Sequence, residues 1–264
     1  MIIDGKQIAD DFKKELYQKL QAVSRNLNLH VILIGDDPAS VKFVERKKKF
    51  GEEIGVEVIV HDLIKEISQQ ELEEEIEKLA NDKSVNGIIV QLPVSPQVDA
   101  DKILSLIPPE KDVDALGENP IVLSPVVLAV QEVLKRGSVV IFGEKAAVIG
   151  QGKLVGRPVA IWLAQEGADV SIIEVDTLNP EEILRKADII VSGVGKPGLI
   201  ALDAIKPGVV LIDAGASLFN GKLVGDADPA CAEKCSIFTP VPGGVGPITV
   251  AMLFKNLLEL SLKI

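Results

Sequence analysis

Lys47 is out of place on its own helix. The stretch Pro38–Ile54 (PASVKFVERKKKFGEEI) has helical spacing, and at about 100° per residue one face collects Ser40, Phe43, Val44, Phe50, Gly51 and Ile54. Lys47 falls in the middle of that face, whereas Lys42, Glu45, Arg46, Lys48, Lys49, Glu52 and Glu53 fall on the solvated side. A lysine among apolar neighbours either snorkels to water or is desolvated. In the second case its pKa drops from about 10.4 toward the range where an amine works as a base. Phe43, four residues earlier, meets it side by side. Two more polar residues stand out. Gln91 ends the apolar run Gly87–Gln91 (GIIVQ), where a strand's C-terminus opens onto a site. Asp114 lies in PPEKDVDA and is either a site carboxylate or a solvated acid of a connecting segment.

A second chemistry is written in glycines. In AAVIGQGKLVGRPVAIWLAQEGADVSIIEVD, an apolar run ends at Gly150, and Gly152 and Gly156 precede a helix that starts near Arg157–Pro158. Glycines there permit positive φ and close backbone approach to a pyrophosphate at the positive helix end. The spacing, G-x-G-x-x-x-G, is one residue longer than the usual fingerprint, so a ligand-free turn is the alternative. Glu174, some 20 residues on, is placed to hydrogen-bond a ribose diol and repels a 2′-phosphate; the alternative is a solvated acid. No Arg or Lys lies between Arg157 and Arg185, so NAD is expected over NADP. Loops Ser192–Gly198 and Asp213–Ala216 follow later strands and could border the same ligand or be plain turns. Thr239–Thr249 (TPVPGGVGPIT) is either a ligand loop or a hinge.

The elements that must hold these residues alternate. Short apolar strands are expected at His30–Ile34, Glu57–Val60, Gly87–Gln91, Ala146–Ile149, Val170–Ile173, Ile189–Val191 and Val209–Ile212. Helices are expected at Lys6–Val23, Pro38–Ile54, Gln69–Ala80, Val126–Lys135, Arg157–Glu166, Pro180–Arg185 and Ile248–Leu262. This is an α/β pattern with parallel sheets. The 264 residues suffice for two domains, divided in a candidate linker, Ile107–Ser124. The expected spans are 1–121 plus 246–264, and 122–245.

Composition excludes other classes. A formal net charge of −11 lacks the basic footprint of a nucleic-acid binder, and 3% aromatic content lacks stacking platforms. No uninterrupted apolar run reaches membrane length, so no membrane partner is expected. The start, MIIDGKQIADDF, carries acids early and has no apolar core, so a cytoplasmic location is expected. Cys231 and Cys235 read as small buried or half-buried residues, and with two His in the chain no metal is expected.

In this order the motifs resemble the methylenetetrahydrofolate dehydrogenase/cyclohydrolase family over essentially the whole chain. They are Asp4-Gly5, Gly35–Ser40, Val90–Pro93, Pro108–Asp114, Val155–Pro158, Val194–Pro197, Gly225-Asp226 and, most specifically, Thr239–Thr249. The resemblance implies a folate-binding α/β domain and a Rossmann-type dinucleotide domain flanking a cleft, with the last helix returning to the first. It implies a homodimer formed through the cofactor domain. Two reactions come with it: hydride transfer from 5,10-methylenetetrahydrofolate to NAD(P)⁺, and hydrolysis of the methenyl product to 10-formyltetrahydrofolate.

By motif, Lys47 matches the catalytic lysine, Gln91 the glutamine bonded to it, and Asp114 the carboxylate gripping the pterin. Pro242, Gly243 and Gly244 match the folate-bordering loop; Gly150, Gln151, Gly152, Val175 and Ala216 match cofactor contacts. The departures are specific. Phe43 replaces the usual Tyr, which keeps a ring to stack on the pterin but removes a hydroxyl near the lysine. Gln151 replaces an Arg, and Glu174-Val175 replaces a His-Ser pair, so the groups that hold a 2′-phosphate are gone. Ala115–Gly117 and Leu123–Val127 depart from the segments that shape the cleft and hinge. The alternatives left open are a dehydrogenase with weak or no hydrolysis, and a non-catalytic folate- or nucleotide-binding paralogue.

Overall fold

The structure is a computed structural model that describes residues 1–23 and 26–263. Ser24, Arg25 and Ile264, which fall inside the expected domain spans, lie outside the described residues. The chain divides into two compact units: Met1–Ala9 with Val126–Thr249, and Asp10–Pro125 with the residues from Val250 on.

The unit that holds Lys47 carries a parallel three-stranded sheet in the order β2-β1-β3. These strands are β1 (Asn28–Ile34), β2 (Glu57–Leu63) and β3 (Gly87–Val90). Leu29, Val31, Ile32, Ile88, Ile89 and Val90 are all buried, which is why the strands read as continuous apolar runs. Helix α1 (Gly5–Val23) precedes them, α2 (Pro38–Ile54) and α3 (Gln69–Asn81) cross over between them, and α4 (Ala100–Ser105) follows. On α3, Ser68 and Glu71 form a reciprocal capping box, which fixes where the helix begins.

The other unit is a five-stranded parallel sheet, order β10-β7-β6-β4-β5, with β4 Lys145–Ile149, β5 Asp169–Ile173, β6 Ile189–Ser192, β7 Val210–Asp213 and β10 Ile237–Phe238. A hairpin, β8 (Ser217–Phe219) and β9 (Lys222–Val224), leaves it. Helices α5 (Pro125–Arg136), α6 (Gly156–Gln165) and α7 (Pro180–Lys186) complete it. The sheet's order steps outward from β4 in both directions, as a doubly wound sheet does.

Two expectations are corrected. The first nine residues belong with this second sheet, because Ile2 pairs with Phe238, Ile3 N–H donates to Phe238 O at 2.9 Å, and Phe238 N–H donates to Met1 O at 2.9 Å. The supposed linker Ile107–Ser124 is packed: Lys111, Asp112 and Val113 are buried, Asp112 bridges Ile88, and the division falls at Pro125/Val126. The last helix, α8 (Val245–Lys263), is long and apolar enough to cross a membrane by length and composition, but it is a core helix: Phe254, Leu257 and Leu260 are buried. Within the Lys47 unit the Phe254 ring stacks on Phe50 at 5.2 Å.

The two histidines meet on the three-stranded sheet. His30 Nδ1 and His61 Nε2 are 2.9 Å apart, the rings stack at 5.1 Å, and His61 Nδ1 lies 3.3 Å from a Glu75 carboxylate oxygen. Burial, and then the neighbouring His61, hold His30 below its ordinary pKa of 6.5. The unfolded chain therefore takes up this proton before the folded one does. Stability from this group is intact above the unfolded value and is lost as pH falls through it toward the folded pKa. Urea midpoints measured from pH 7.5 to 5 are expected to fall more for wild type than for His30→Asn; equal slopes would show that His30 is not coupled to folding.

Candidate active site

Lys47 is held by both of the elements the sequence singled out. α2 starts cleanly because Asp37 accepts from Ser40 N–H at 2.8 Å and Pro38 occupies its first turn, and it stops at Gly55, which is left-handed at φ 81°. That fixes the rotation that buries Val44, Phe50, Gly51 and Ile54, and Lys47 between them is half-buried. Its Nζ donates to Gln91 Oε1 at 3.0 Å, just past β3. Gln91 is itself buried and is oriented by its own Nε2, which donates to Leu92 O at 2.8 Å. Phe43 is half-buried one turn earlier, with the Arg46 guanidinium 5.7 Å from its ring centre.

Asp114 lies within electrostatic reach of Lys47. Burial pushes the Lys47 amine below its usual range, and Asp114 opposes that shift. Burial likewise pushes the Asp114 carboxyl up, opposed by Lys47. Burial thus opposes the charged form of each group and the partner's charge favours it, which suits an amine that exchanges protons.

Three buried side chains that the sequence reading did not single out position Asp114. Asn256 on α8 donates to Val113 O at 2.9 Å and to Leu123 O at 2.8 Å. Asp112 accepts from Gly117 N–H at 2.7 Å. Lys111 Nζ donates to Ala80 O and Asp82 O, both at 2.7 Å, closing the C-terminal end of α3. The available signal for Asn256 was a polar residue on the apolar face of the last helix.

The glycine turn belongs to the other unit. Gly150 sits at φ 82° directly after β4, and its N–H donates to Ile173 O at 2.8 Å. A Cβ on Gly156 would lie 1.9 Å from Gly150 O, so α6 starts against the turn only because residue 156 has no side chain. A Cβ on Gly152 would meet nothing within 4 Å, and Gln151 beside it is exposed. The turn is therefore an open backbone cradle at a helix N-terminus, and its geometry fits a pyrophosphate. Glu174 and Val175 follow β5 and are exposed; Glu174 N–H donates to Thr177 Oγ1 at 2.8 Å. Ala216 is exposed after β7.

Pro242, Gly243 and Gly244 lie in this same unit. Gly5 N–H donates to Gly243 O at 2.8 Å, and Gly5 is so close to Gly244 O that a Cβ would stand 1.8 Å away. The structure thus gathers Phe43, Lys47, Gln91 and Asp114 in one unit. The dinucleotide-type loops and the 242–244 turn lie in the other.

Asp213 entered the sequence reading only as the start of a loop and Asp226 only within a motif, with no role for either; both are buried carboxylates. Asp213 accepts from Gly215 N–H at 2.9 Å and Ala227 N–H at 2.8 Å. Burial pushes its carboxyl up to about 6, helped by the nearby Asp226 charge and opposed by the amides. Cys231 is buried and Cys235 half-buried nearby in chain, and burial raises both thiols to about 11.

Comparison with known proteins shows the family. The tetrahydrofolate dehydrogenase/cyclohydrolase catalytic-domain model matches residues 3–114, and that family's NAD(P)-binding-domain model matches residues 124–263. The chain is 40% identical to the bifunctional protein FolD of Macrococcus caseolyticus, over 97% of this chain and 96% of that protein. It is 42% identical to the Staphylococcus aureus (strain Newman) protein of the same name, over 97% and 95%. Among solved structures, the Campylobacter jejuni bifunctional enzyme superposes with a TM-score of 0.94 at 37% identity, covering 100% of this chain and 99% of that one. The Trypanosoma brucei enzyme, solved with NADP and an inhibitor, gives 0.94 at 34%, covering 100% and 97%. The chain belongs to the tetrahydrofolate dehydrogenase/cyclohydrolase family and carries both its catalytic and its NAD(P)-binding domain.

Proposed function

We propose that Lys47, Gln91 and Asp114 carry the chemistry of this family in the chain, and that its dehydrogenase step prefers NAD⁺. As a family member the chain is a dehydrogenase and a cyclohydrolase: it oxidises 5,10-methylenetetrahydrofolate to the methenyl cation and hydrolyses that cation to 10-formyltetrahydrofolate. The observation that carries the residue assignment is the 3.0 Å bond from the Lys47 amine to Gln91 on an apolar helix face.

In hydrolysis, water adds to the methenyl carbon and must lose a proton. The desolvated Lys47 amine takes that proton as its lone pair becomes available at lower pH than an ordinary lysine allows. It then returns a proton to the ring nitrogen that leaves as the C–N bond opens. Gln91 holds the amine in place through its carbonyl oxygen, which stabilises the ammonium as it forms. Asp114 bonds the pterin amino and ring N–H groups and fixes where the reacting carbon lies. The Phe43 ring stacks on the pterin; lacking the hydroxyl, it favours a slower hydrolysis than hydride transfer. Pro242, Gly243 and Gly244 match the family's folate-bordering loop.

Gly150, Gln151, Gly152 and Gly156 would hold the dinucleotide pyrophosphate, Glu174 the adenosine ribose, and Val175 and Ala216 would line its path. When bound, the dinucleotide supplies the hydride acceptor. Glu174 would accept from the two free ribose hydroxyls of NAD and would repel the added phosphate of NADP, and Gln151 offers no charge to offset this. Exposure of Glu174 limits the discrimination, so kcat/KM for NAD⁺ is expected to exceed that for NADP⁺ by roughly tenfold. Glu174→Ser is expected to narrow the gap. The check is methenyl absorbance with each cofactor, and equal or reversed rates would refute the preference. A homodimer through the dinucleotide unit is part of this reading; β5 lies at its sheet edge, with Ile172 and Ile161 exposed.

A further inference from the structure

The Gly225-Asp226 pair has no part in the chemistry above, yet Asp226 is fully buried. Its Oδ2 accepts from Ser192 Oγ at 2.6 Å and from Val194 N–H at 2.8 Å, and its Oδ1 accepts from Lys196 N–H at 2.6 Å. One carboxylate therefore ties together the end of β6 and alternate amides of the loop that follows. Asp213, the buried acid one strand over, does the same for the loop after β7 through Gly215. Room for the two acids exists only because their neighbours are glycines. A Cβ on Gly215 would stand 2.3 Å from the Asp226 carboxylate, and one on Gly225 would stand 2.1 Å from Asp213 Oδ2.

The loop that Asp226 shapes touches both ends of the dinucleotide face. Val194 packs against the glycine turn, its Cγ2 standing 3.0 Å from where a Gly150 Cβ would be. Gly193 is pressed against Val155, whose three side-chain carbons lie 2.4, 2.5 and 2.8 Å from a Cβ placed there. Gly195, left-handed at φ 76°, faces Ala216 O at 3.7 Å from its would-be Cβ. Ordinary turns are stabilised by their own backbone bonds. This one is held by a buried carboxylate from the segment after β9, an arrangement that suits fixing a surface more than merely connecting two strands.

We propose that Asp226 is a positioning residue for the dinucleotide: through Val194 and Lys196 it sets loop 193–196 against the Gly150 turn and Ala216, and with Asp213 it pre-forms the face on which the cofactor lies. The proposal rests on the assignment of that face to the dinucleotide. Loss of the carboxylate loosens the loop and weakens dinucleotide binding, while hydrolysis, which uses no dinucleotide, reports on the rest of the fold.

The test is direct titration of NADH by fluorescence, with methenyl hydrolysis measured alongside, for wild type, Asp226→Asn, Ser192→Ala and Gly152→Val. Asp226→Asn keeps the volume but turns one acceptor into a donor facing an N–H or O–H. Its dissociation constant for NADH is expected to rise roughly tenfold to a hundredfold, on the scale of a misplaced contact surface. Ser192→Ala removes one donor and creates no new one, and a roughly three- to tenfold rise is expected. It keeps the test alive should Asp226→Asn fail to fold. At Gly152 an added Cβ meets nothing within 4 Å, and Gly152→Val fills the pyrophosphate cradle. If Gly152→Val weakens NADH binding and the two network variants do not, the positioning role is overturned while the face assignment stands. If Gly152→Val binds NADH as wild type does, the face assignment fails and the proposal with it. If the network variants lose hydrolysis in proportion to NADH binding, Asp226 is a support of the fold alone, which also overturns the proposal.

Discussion

Lys47→Met is expected to lower methenyl hydrolysis by roughly 10²- to 10⁴-fold, the range that a positioned acid–base group contributes. Methionine keeps the length and the apolar contacts of the side chain within the face formed by Val44, Phe50 and Ile54, so folding survives the change. It removes a half-buried amine that donates to Gln91 Oε1. Loss of a desolvated ammonium is not itself destabilising, since burial already disfavours its charge. The dehydrogenase step needs no proton from this amine, so hydride transfer is expected to persist at a reduced rate and the methenyl product to accumulate. Stopped reactions followed by methenyl absorbance, with and without dinucleotide, separate the two steps. A variant that still hydrolyses at the wild-type rate would remove Lys47 from the reaction.

Gly156→Ala carries the second large effect, and it acts on the other unit. Its Cβ would stand 1.9 Å from Gly150 O and 2.7 Å from Gly150 C, and both are backbone atoms that no rotamer change can clear. Either α6 withdraws from the turn or the turn opens. Strain of this kind costs about 1–3 kcal/mol of stability. More importantly, it moves the first amides of α6 away from the cradle, and a displacement of about 1 Å at a positioning surface costs about 10²-fold. The dehydrogenase KM for the dinucleotide is expected to rise by about that factor, with hydrolysis falling only as far as the folded fraction does. Unchanged dinucleotide KM would mean that the 150–156 turn does not hold the cofactor.

These expectations separate because the two chemistries were legible at different levels of the sequence. Lys47 could be found by rotation on α2 alone, since six apolar or small neighbours share its face and seven charged residues do not. The glycine turn could be found because Gly150 and Gly156 have no substitute at those backbone positions. Seven-residue β1 and the shorter β4 and β6 announce themselves as apolar runs buried on both faces. What sequence spacing misses is contact between distant segments. Two-residue β10 and three-residue β8 and β9 are too short to show a period, and β10 is completed by the chain's own first residues. That pairing, invisible in a linear reading, is why Met1–Ala9 joins the dinucleotide unit. The acidic, proline-rich stretch 107–124 has the composition of a linker, but Lys111, Asp112 and Asn256 bind its backbone into the core. His30 and His61 share one face of adjacent strands because β1 and β2 run parallel with His61 paired to Ile32, a register that no single segment encodes. Asp213 and Asp226 are 13 positions apart with no periodic link, and only the fold sets them side by side.

Lys47 as the base of hydrolysis is the central proposal. The most direct measurement is the pH dependence of kcat/KM for methenyl hydrolysis, corrected for the uncatalysed rate, in wild type and in Lys47→Met. Burial holds the Lys47 amine below its ordinary value of 10.5, so the enzymatic rate is expected to rise with pH and level off with a midpoint below that value. The rise is expected to vanish in Lys47→Met. A midpoint at the value of an unperturbed lysine, or the same profile in the variant, would contradict the account.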